Sequence, residues 1–511
     1  MMKKRLLALL LFLTVILSLV SCEIPRPGVD QPPISSCDHV DGNRDGLCDT
    51  CLVSVVVTLD LYAINDLHGK LRDSDTQPGV EELTTYLYRE MQNDAYPILF
   101  SVGDMWQGSA ESNLTRGKLV TEWMNEMGFV SMTLGNHEFD WGEEYIEENA
   151  DLAEFPLLAI NVIDRDTNER VSYCEASVVV EAAGLEIGII GAIGDCYSSI
   201  ASDHSGGVRF ATGTALSSLV AQEARRLRDG GVDVIIYTIH DGYEESVSGE
   251  RYLDNAAFSA YYDVAALSEY VDIVFEGHTH QSYVIEDSAG DYHLQGGGDN
   301  RGISHVQLSV NVVNGDTYPV TREIVSAARY QREEAHPLLD TLATRYEQEL
   351  AGAYRTLGMN NSYRSSYEIR DIVSMLYYQF AISEWGDDYD IVLGGGFLTV
   401  RSPGHLNAGE VVYGELNSLL PFDNQLVLCS MSGYDLERVF FNTTNSNYFY
   451  TCGEYGESLR GKIDRNATYY VVTDTYTSTY RYNKMTEIER FAEPYYARDL
   501  LADYIEAGGL E

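Results

Sequence analysis

The stretch VVVTLDLYAINDLHG, residues 55–69, joins an apolar run to a short polar segment. The run from 55 to 64 is rich in apolar and β-branched residues, which predicts a buried strand. Asp66 and His68 follow two positions apart, so on extended backbone both side chains can point to one side and bind one ion. A single pair of this kind is more often a polar turn than a pair of metal ligands, so its significance depends on whether the pattern recurs.

The same pattern recurs along the chain. Further strands are predicted at 98–102, 157–161, 185–191, 234–239 and 273–275, with amphipathic stretches between them. This alternation indicates an α/β fold whose sheets are covered by helices. Folds of this kind carry their chemistry on the loops that follow the strands. Polar residues in those loops are therefore candidates for a functional site.

Five loops between residues 66 and 280 present His, Asp or Asn side chains after a predicted strand. Independent turns would not all select imidazole, carboxylate and amide groups, so the set predicts a metal centre. The candidate ligands are Asp66, His68, Asp104, Asn136, His240, His278 and His280. They include no thiolate, and nitrogen and oxygen donors of this kind suit zinc, manganese or iron.

The loop LGNHEFD, residues 134–140, adds two groups with a different role. If Asn136 is a ligand, His137 is not expected to be one, because adjacent side chains in an irregular loop usually diverge. His137 is then suited to stabilise a transition state or to protonate a leaving oxygen. Asp140 is placed to orient that imidazole. Glu138 and Phe139 are expected to shape the loop.

The motifs Asp-x-His, Gly-Asp, Gly-Asn-His-Glu-Phe-Asp, a lone His and Gly-His-x-His, in this order, resemble those of the calcineurin-like metallophosphatases. The Phe-Asp pair and the large C-terminal region further resemble the 5′-nucleotidase family, which includes UDP-sugar hydrolases and 2′,3′-cyclic phosphodiesterases. The resemblance covers residues 53–511. It implies an α/β fold: a four-layer metallophosphatase sandwich, then a helical connector and a smaller α/β substrate-binding domain.

The resemblance also implies two divalent metal ions and a role for each candidate ligand. One ion is assigned to Asp66, His68 and His280, the other to Asn136, His240 and His278, and Asp104 bridges them. The ions would share a hydroxide that attacks phosphorus in line. His137 and Asp140 match the catalytic His-Asp pair of the family.

The C-terminal region departs from the family pattern at the substrate-binding residues. Phe422 matches the first of two aromatic rings that sandwich a nucleobase. Leu393 stands where the family commonly has Asn before three glycines, and Arg401 is the nearest arginine after them. The Gly-Gly-Asp-Gly turn that usually follows the second ring is absent, so Tyr476 or Tyr480 is the candidate for that ring.

Two further arginines are candidates for phosphate binding. Arg364 and Arg370 flank Glu368 in a segment that resembles the Arg-bearing helix start of the family. Either could clamp a phosphate in bidentate geometry. A surface ion pair with Glu368 is an equally good interpretation.

Charge and the N-terminal segment indicate location and exclude some partners. The 511 residues carry a net charge of −45, which repels nucleic acid and anionic membranes but permits a small phosphorylated substrate at a metal site. Residues 1–21 are typical of an export signal. They lead to Cys22 in a sequence like a bacterial lipobox, which predicts a lipid anchor as the only membrane attachment, at the cell surface or facing the periplasm. The oligomeric state is left open.

Residues 37–51 superimpose two metal-binding patterns. Asp41, Asn43, Asp45 and Asp49 occupy positions 1, 3, 5 and 9 of a calcium loop, but position 12 is Leu52. The alternative is a zinc site formed by Cys37, His39, Cys48 and Cys51. A disulfide beside a solvated acidic turn is a third interpretation.

The remaining cysteines follow from the zinc alternative. If lipidation uses Cys22 and three cysteines bind zinc, Cys174 could pair with Cys196, and Cys429 with Cys452.

The sequence thus predicts five segments: an export signal (1–21), a tether with the Cys/Asp-rich turn (22–52), a metallophosphatase domain (53–325), a helical connector (326–355) and a substrate-binding domain (356–511). The connector is predicted from a long helical stretch at about 324–354, which is charged on one side and broken by Pro337. The predicted activity is metal-dependent hydrolysis of nucleotides or related small phosphate esters. Cyclic phosphodiester and nucleotide-sugar hydrolysis are alternatives. A surface lipoprotein that binds a ligand without turnover is the alternative from another class.

Overall fold

The computed structural model describes residues 39–44, 46–52, 54–73, 78–200, 204–243, 270–286, 290–401, 403–441, 461–481, 484–491 and 495–511. The chain divides into a short unit that ends at Val55 and a large unit, Val56–Glu511. No helix among the described residues has the length and apolar character that a membrane crossing needs. Cys22 and Cys37 lie outside the described residues.

The first part of the large unit contains fourteen strands in two main sheets and one small one. They are β1 (Val56–Ile64), β2 (Pro97–Ser101), β3 (Met132–Thr133), β4 (Leu157–Leu158), β5 (Val162–Asp164), β6 (Ser177–Ala182), β7 (Leu185–Ile193), β8 (Val208–Phe210), β9 (Val234–His240), β10 (Ile273–Glu276), β11 (Ser282–Glu286), β12 (Tyr292–Gly296), β13 (Gly302–Asn311) and β14 (Thr317–Ser326). The helices of this part are α1 (Val80–Asn93), α2 (Ala110–Leu114), α3 (Lys118–Met127), α4 (Glu143–Leu152) and α5 (Thr214–Asp229).

Two six-stranded sheets form the centre of this part. One has the order β14-β13-β1-β2-β3-β4, and the other has the order β11-β12-β10-β9-β7-β6. Strands β1 to β4 run parallel, as do β7, β9, β10 and β12. The carboxyl ends of the central strands therefore meet at the same edge of each sheet, where loops from both can converge.

Alternation along β1 explains how the layers stack. Leu59, Leu61 and Ala63 belong to the core between the two sheets, where the Phe100 and Phe275 rings meet edge to face at 5.0 Å. Residues of α1 and α3 cover the outer face of the first sheet, and residues of α5 cover the outer face of the second. The result is a stack of helices, sheet, sheet and helix, so the predicted four-layer α/β sandwich is confirmed.

The segment after β14 differs from the predicted long helical stretch. Strand β14 continues to Ser326, and short helices follow: α6 (Ala327–Tyr330), α7 (Leu338–Ala343) and α8 (Glu347–Leu350), with a 3₁₀ turn at Thr344–Tyr346. Residues 324–326 pair with β13, which competes with helix formation. Pro337 then stands immediately before α7, where a missing N–H costs little.

The last part of the chain is a smaller α/β region. Its strands are β15 (Thr356–Asn360), β16 (Arg364–Ser365), β17 (Ile391–Gly394), β18 (His405–Leu406), β19 (Gly409–Val412), β20 (Leu426–Ser432), β21 (Thr468–Asp474) and β22 (Thr486–Arg490). Its helices are α9 (Ser366–Trp385), α10 (Tyr413–Leu419), α11 (Gly433–Phe440) and α12 (Ala497–Glu506). The main sheet has the order β17-β21-β20-β22.

Helices α2 and α10 join the sandwich to this smaller region. The Asn113 side-chain amide donates to Asn417 Oδ1 at 2.7 Å, and both residues are buried. Asp423 accepts hydrogen bonds from Arg116 (2.8 Å) and from Arg498 in α12. Polar groups therefore carry much of this contact.

The cysteine pairing considered from the sequence is wrong where it can be examined. Cys174, Cys196 and Cys429 are free, buried thiols, so no Cys174–Cys196 disulfide is present. Cys196 instead donates to the carbonyl of His240 at 2.8 Å. Cys452 lies outside the described residues, so the second pairing stays a prediction.

Candidate metal centre and substrate cavity

All seven predicted ligands lie together where the loops after the central strands meet. Five of them are buried, and His278 and His280 are partly exposed. Five have a left-handed backbone with φ between 50° and 70°: Asp66, His68, Asp104, His278 and His280. Non-glycine residues rarely adopt this conformation, and backbone strain of this kind concentrates at functional sites.

One group of side chains contains Asp66, His68 and His280, whose ligand atoms lie within 4.8 Å of one another. His280 Nε2 lies 3.3 Å from Asp66 Oδ1 and 3.0 Å from His68 Nε2. His68 Nδ1 donates to the carbonyl of Gln107 at 2.8 Å, which fixes the ring and turns Nε2 towards the group. Burial holds the pKa of His68 well below its usual value, so its imidazole is neutral and suited to bind a cation.

A second group lies beside the first and contains Asn136, His240 and His278. His278 Nδ1 lies 2.9 Å from Asn136 Oδ1, and the His240 and His278 rings meet edge to face at 5.6 Å. His240 Nδ1 donates to the carbonyl of Val102 at 2.7 Å. That bond turns His240 Nε2 towards Asp104.

Asp104 lies between the two groups. Its Oδ2 is 3.1 Å from His240 Nε2 and 3.9 Å from His68 Nε2. The buried atoms Asp104 Oδ2 and His240 Nε2 nevertheless have no hydrogen-bond partner. Although burial opposes it, the charge of Asp104 raises the pKa of His240 to about 10. Unpartnered donor atoms in a pocket that favours positive charge are what a divalent cation requires, so the residues fit the implied metal ions.

His137 and Asp140 form a separate pair at the edge of this centre. His137 Nδ1 lies 2.7 Å from Asp140 Oδ2, and the His137 amide donates to Asp104 Oδ1 at 2.9 Å. Burial lowers the pKa of His137, but the charges of Asp140 and Asp104 outweigh it and raise that pKa overall. The ring therefore has a fixed orientation, with Nε2 on the side away from Asp140.

Glu138 organises the two loops that carry Asp104 and Asn136. Its fully buried carboxylate accepts four backbone amides: Asp104 (2.9 Å), Met105 (2.9 Å), Trp106 (3.3 Å) and Gly135 (2.7 Å). Burial raises the pKa of Glu138 to about 7. The sequence indicated only that Glu138 shapes its own loop, and it gave no sign of the contact with the loop after β2.

A cavity of about 310 Å³ opens beside the centre. His137, Asn136 and His278 line one side, and the predicted substrate residues Arg401, Phe422 and Tyr476 also line it. Arg401 Nη2 lies 3.1 Å from His137 Nε2, and its guanidinium lies 5.3 Å from the centre of the Phe422 ring. The size suits a small ligand.

Phe397 and Asp474 are among the residues of this cavity that were not predicted from the sequence. Phe397 follows the three glycines directly, and its ring lies 5.9 Å from that of Tyr476. Asp474, at the end of β21, is fully buried and accepts the Thr477 amide at 2.7 Å. An aromatic residue after a glycine-rich strand end was the available signal for Phe397. The Tyr480 side chain lies outside the described part of the molecule.

Arg364 and Arg370 do not line this cavity. Arg364 lies in β16, paired with β18, and Arg370 lies in the first turns of α9. Glu368 is occupied as the N-terminal capping group of α9, where its carboxylate accepts the Ser365 amide at 2.9 Å. The capping box thus explains the acidic residue between the two arginines.

Comparisons with known proteins find relatives by sequence and by fold. The chain is 29% identical to an apyrase of Aedes albopictus over 38% of its length and 36% of that protein. It is 29% identical to a 5′-nucleotidase of Vibrio cholerae over 29% of this chain and 26% of that protein. It is 23% identical to the endonuclease YhcR of Bacillus subtilis over 75% of this chain and 32% of that protein. The crystal structure of a 5′-nucleotidase precursor from Thermus thermophilus superimposes with a TM-score of 0.67 at 16% identity, covering 88% of this chain and 96% of that one.

The predicted resemblance to the 5′-nucleotidase type of calcineurin-like phosphoesterase is confirmed. No protein-family model matches the chain. The chain spans about a third of the length of the curated relatives it matches. The 5′-nucleotidase fold is therefore shown over nearly the whole chain, whereas sequence similarity to named relatives is confined to shorter stretches.

Proposed function

We propose that this chain is an exported, metal-dependent phosphoesterase that hydrolyses nucleotides or related small phosphate esters. The observation that carries the proposal is the shared cavity. His137 and the candidate ligands Asn136 and His278 line this cavity together with Arg401 and the rings of Phe397, Phe422 and Tyr476. A phosphate near His137 and a planar base near Phe422 would fit this cavity together.

The seven candidate ligands would hold two divalent ions, with Asp66, His68 and His280 on one side and Asn136, His240 and His278 on the other. When bound, such ions supply positive charge for the phosphate oxygens and lower the pKa of water. The hydrogen bonds to Gln107 and Val102 would keep His68 and His240 in the orientation that binding needs.

His137 would stabilise the transition state or protonate the leaving oxygen. Asp140 holds its Nδ1, and its Nε2 lies beside Arg401, which also lines the cavity. Arg401 would bind a phosphate oxygen, because its guanidinium lies beside His137 and presents a planar set of N–H donors that matches phosphate geometry. Phe422 would stack on a base, and Phe397 with Tyr476 would provide further aromatic contacts.

The test is a hydrolysis assay with added manganese on bis-(p-nitrophenyl) phosphate, AMP, ADP, UDP-glucose, 2′,3′-cyclic AMP, a sugar phosphate and a short oligonucleotide. His137→Ala should lower kcat by about 10²–10⁴-fold without loss of bound metal. The control is His405→Ala. His405 lies in β18, which pairs with β16, and it is not among the residues that line the cavity.

Several outcomes separate this proposal from its alternatives. Preference for AMP or ADP supports nucleotide hydrolysis, and preference for 2′,3′-cyclic AMP or UDP-glucose supports one of the related activities. If no substrate shows metal-dependent turnover, and if His137→Ala binds these ligands as the wild-type protein does, a ligand-binding lipoprotein is favoured instead. Labelling with palmitate that Cys22→Ser abolishes would test the anchor.

A further inference from the structure

The short unit before Val55 contains three metal-binding side chains that the proposed activity does not use. His39, Cys48 and Cys51 place their ligand atoms within 4.8 Å of one another. Cys51 Sγ lies 3.4 Å from His39 Nδ1. Zn–S and Zn–N bonds at a tetrahedral angle place such atoms about 3.6 Å apart, so the spacing suits zinc.

Backbone hydrogen bonds hold the turn that carries the two cysteines. Cys48 is completely buried, and the Leu52 amide donates to its carbonyl at 2.8 Å. The Asp49 amide donates to the Val40 carbonyl at 2.7 Å, and the Val55 amide donates to the Gly46 carbonyl at 3.0 Å. The turn therefore brings two thiols to one imidazole, a donor set that suits zinc.

The calcium interpretation receives less support from the same residues. The carboxylates at the first and ninth loop positions already hold turns, because Asp41 accepts the Gly46 amide (3.0 Å) and Asp49 accepts the Gly42 amide (2.8 Å). The twelfth position, Leu52, is 72% exposed and offers no side-chain oxygen. Asp45 lies outside the described residues.

Among the described residues of this unit, Cys48 and Val55 are the buried apolar ones, so these residues form little of an apolar core. Among its described residues, the large apolar side chains Val40, Leu47 and Leu52 are 50%, 39% and 72% exposed. Segments this short usually need a metal or disulfides to fold. No disulfide joins Cys48 and Cys51, the two cysteines of this unit that the structure describes.

We propose that His39, Cys48 and Cys51 hold a structural zinc ion that fixes the fold of residues 39–52. Binding displaces the thiol protons and involves no redox step. The fourth ligand is left to the experiment, since Cys37 of the sequence pattern lies outside the described residues. This site is separate from the proposed catalytic centre, so each can fail without the other.

The test uses cobalt as a spectroscopic probe in the full chain, because only thiolate ligands give an intense near-ultraviolet charge-transfer band. The wild-type protein should show this band, and Cys48→Ser and Cys51→Ser should each lose it. Cys429→Ser and Cys196→Ser are controls that should keep it, since Cys429 lies in β20 and Cys196 beside His240. His39→Gln should weaken cobalt binding at least tenfold.

Two further measurements keep the outcome decisive. Phosphoesterase activity of Cys48→Ser should stay within about twofold of wild type, which shows that the large unit is folded. Zinc content, measured by mass spectrometry, should fall by one equivalent in the same variant. The proposal is overturned by a band that survives in Cys48→Ser, by a band that Cys196→Ser removes, or by a Cys48–Cys51 disulfide in the purified protein.

Discussion

At the scale of single residues, the candidate metal centre depends on a side chain that is not itself a candidate ligand. This side chain is Glu138, because its carboxylate ties the loop after β2 to the loop after β3 through four amides. Both of those loops carry candidate ligands, Asp104 and Asn136. The position of the ligands is thus set by a buried acceptor.

Glu138→Gln should therefore destabilise the protein and loosen the centre. The new amide places two N–H donors against backbone donors, which costs about 1–3 kcal/mol. We expect a lower midpoint in urea unfolding and manganese affinity reduced about 10–100-fold. Glu186→Gln, on an exposed position of β7, is the matched control and should change neither quantity. Wild-type stability and metal affinity in Glu138→Gln would show that the four-amide contact has no such role.

The site residues that could be predicted from the sequence are those whose chemistry follows from residue type and spacing. The seven candidate ligands and the His137–Asp140 pair were named from the sequence, and the structure brings them together. Phe397, Asp474 and the partners of Glu138 were not, because their roles depend on loops that are distant in sequence. Arg364 and Arg370 failed as cavity residues because a capping box produces the same local charge pattern.

At the scale of secondary structure elements, close approach of the strand-end loops is what assembles the centre. Gly103 follows β2 with φ of +89°, and a Cβ there would lie 2.7 Å from both the Gly135 amide nitrogen and His240 Nδ1. Only a residue without a side chain lets these loops meet. The apolar run from 55 to 64 predicted that β1 is a buried strand, but nothing local in the sequence specified this contact.

Gly103→Ala separates the effect of close approach from that of backbone strain. Gly184, between β6 and β7, has a similar φ of +77°, and no atom lies within 4 Å of the position that a Cβ would take there. Gly184→Ala therefore adds only strain of about 1 kcal/mol. We expect both variants to lose stability, but only Gly103→Ala to lose metal binding and more than about 90% of activity. Equal activity in the two variants would contradict this account.

The connector illustrates what sequence pattern alone cannot decide. The charged, amphipathic residues after 324 predicted a long helix, yet their first residues complete the β13–β14 ladder. Pairing with a distant strand outweighed local propensity. The helices that follow are short, and their lengths reflect packing against α1 and α3.

At the scale of the whole molecule, Asp423, whose side chain is 11% exposed, connects the sandwich to the smaller α/β region. Asp423 lies between Arg116 and Arg498, and although burial raises its pKa, the two guanidinium groups outweigh this and hold that pKa below its usual value. Its stabilising contribution is therefore complete above the ordinary Asp pKa of about 3.9 and is lost as pH falls through the lower folded value.

Asp423→Asn should cost about 3 kcal/mol of unfolding free energy at pH 7, because it leaves two buried or half-buried cations without their anion. The difference from wild type should shrink as the pH falls below about 4, where Asp423 of the unfolded chain takes up a proton, and should vanish below the lower pKa of the folded protein. Urea unfolding at a series of pH values measures both. Asp229→Asn, exposed at the end of α5, should show no such dependence, and a pH-independent difference for Asp423→Asn would refute the assigned role.

In the proposed function, seven loop residues hold two divalent ions beside the cavity that binds the phosphate ester. Anomalous X-ray diffraction from crystals grown with manganese tests it most directly. We predict two peaks about 3.5–4 Å apart, one among Asp66, His68 and His280 and one among Asn136, His240 and His278, with Asp104 contacting both. A single peak, or peaks elsewhere in the molecule, would contradict the account.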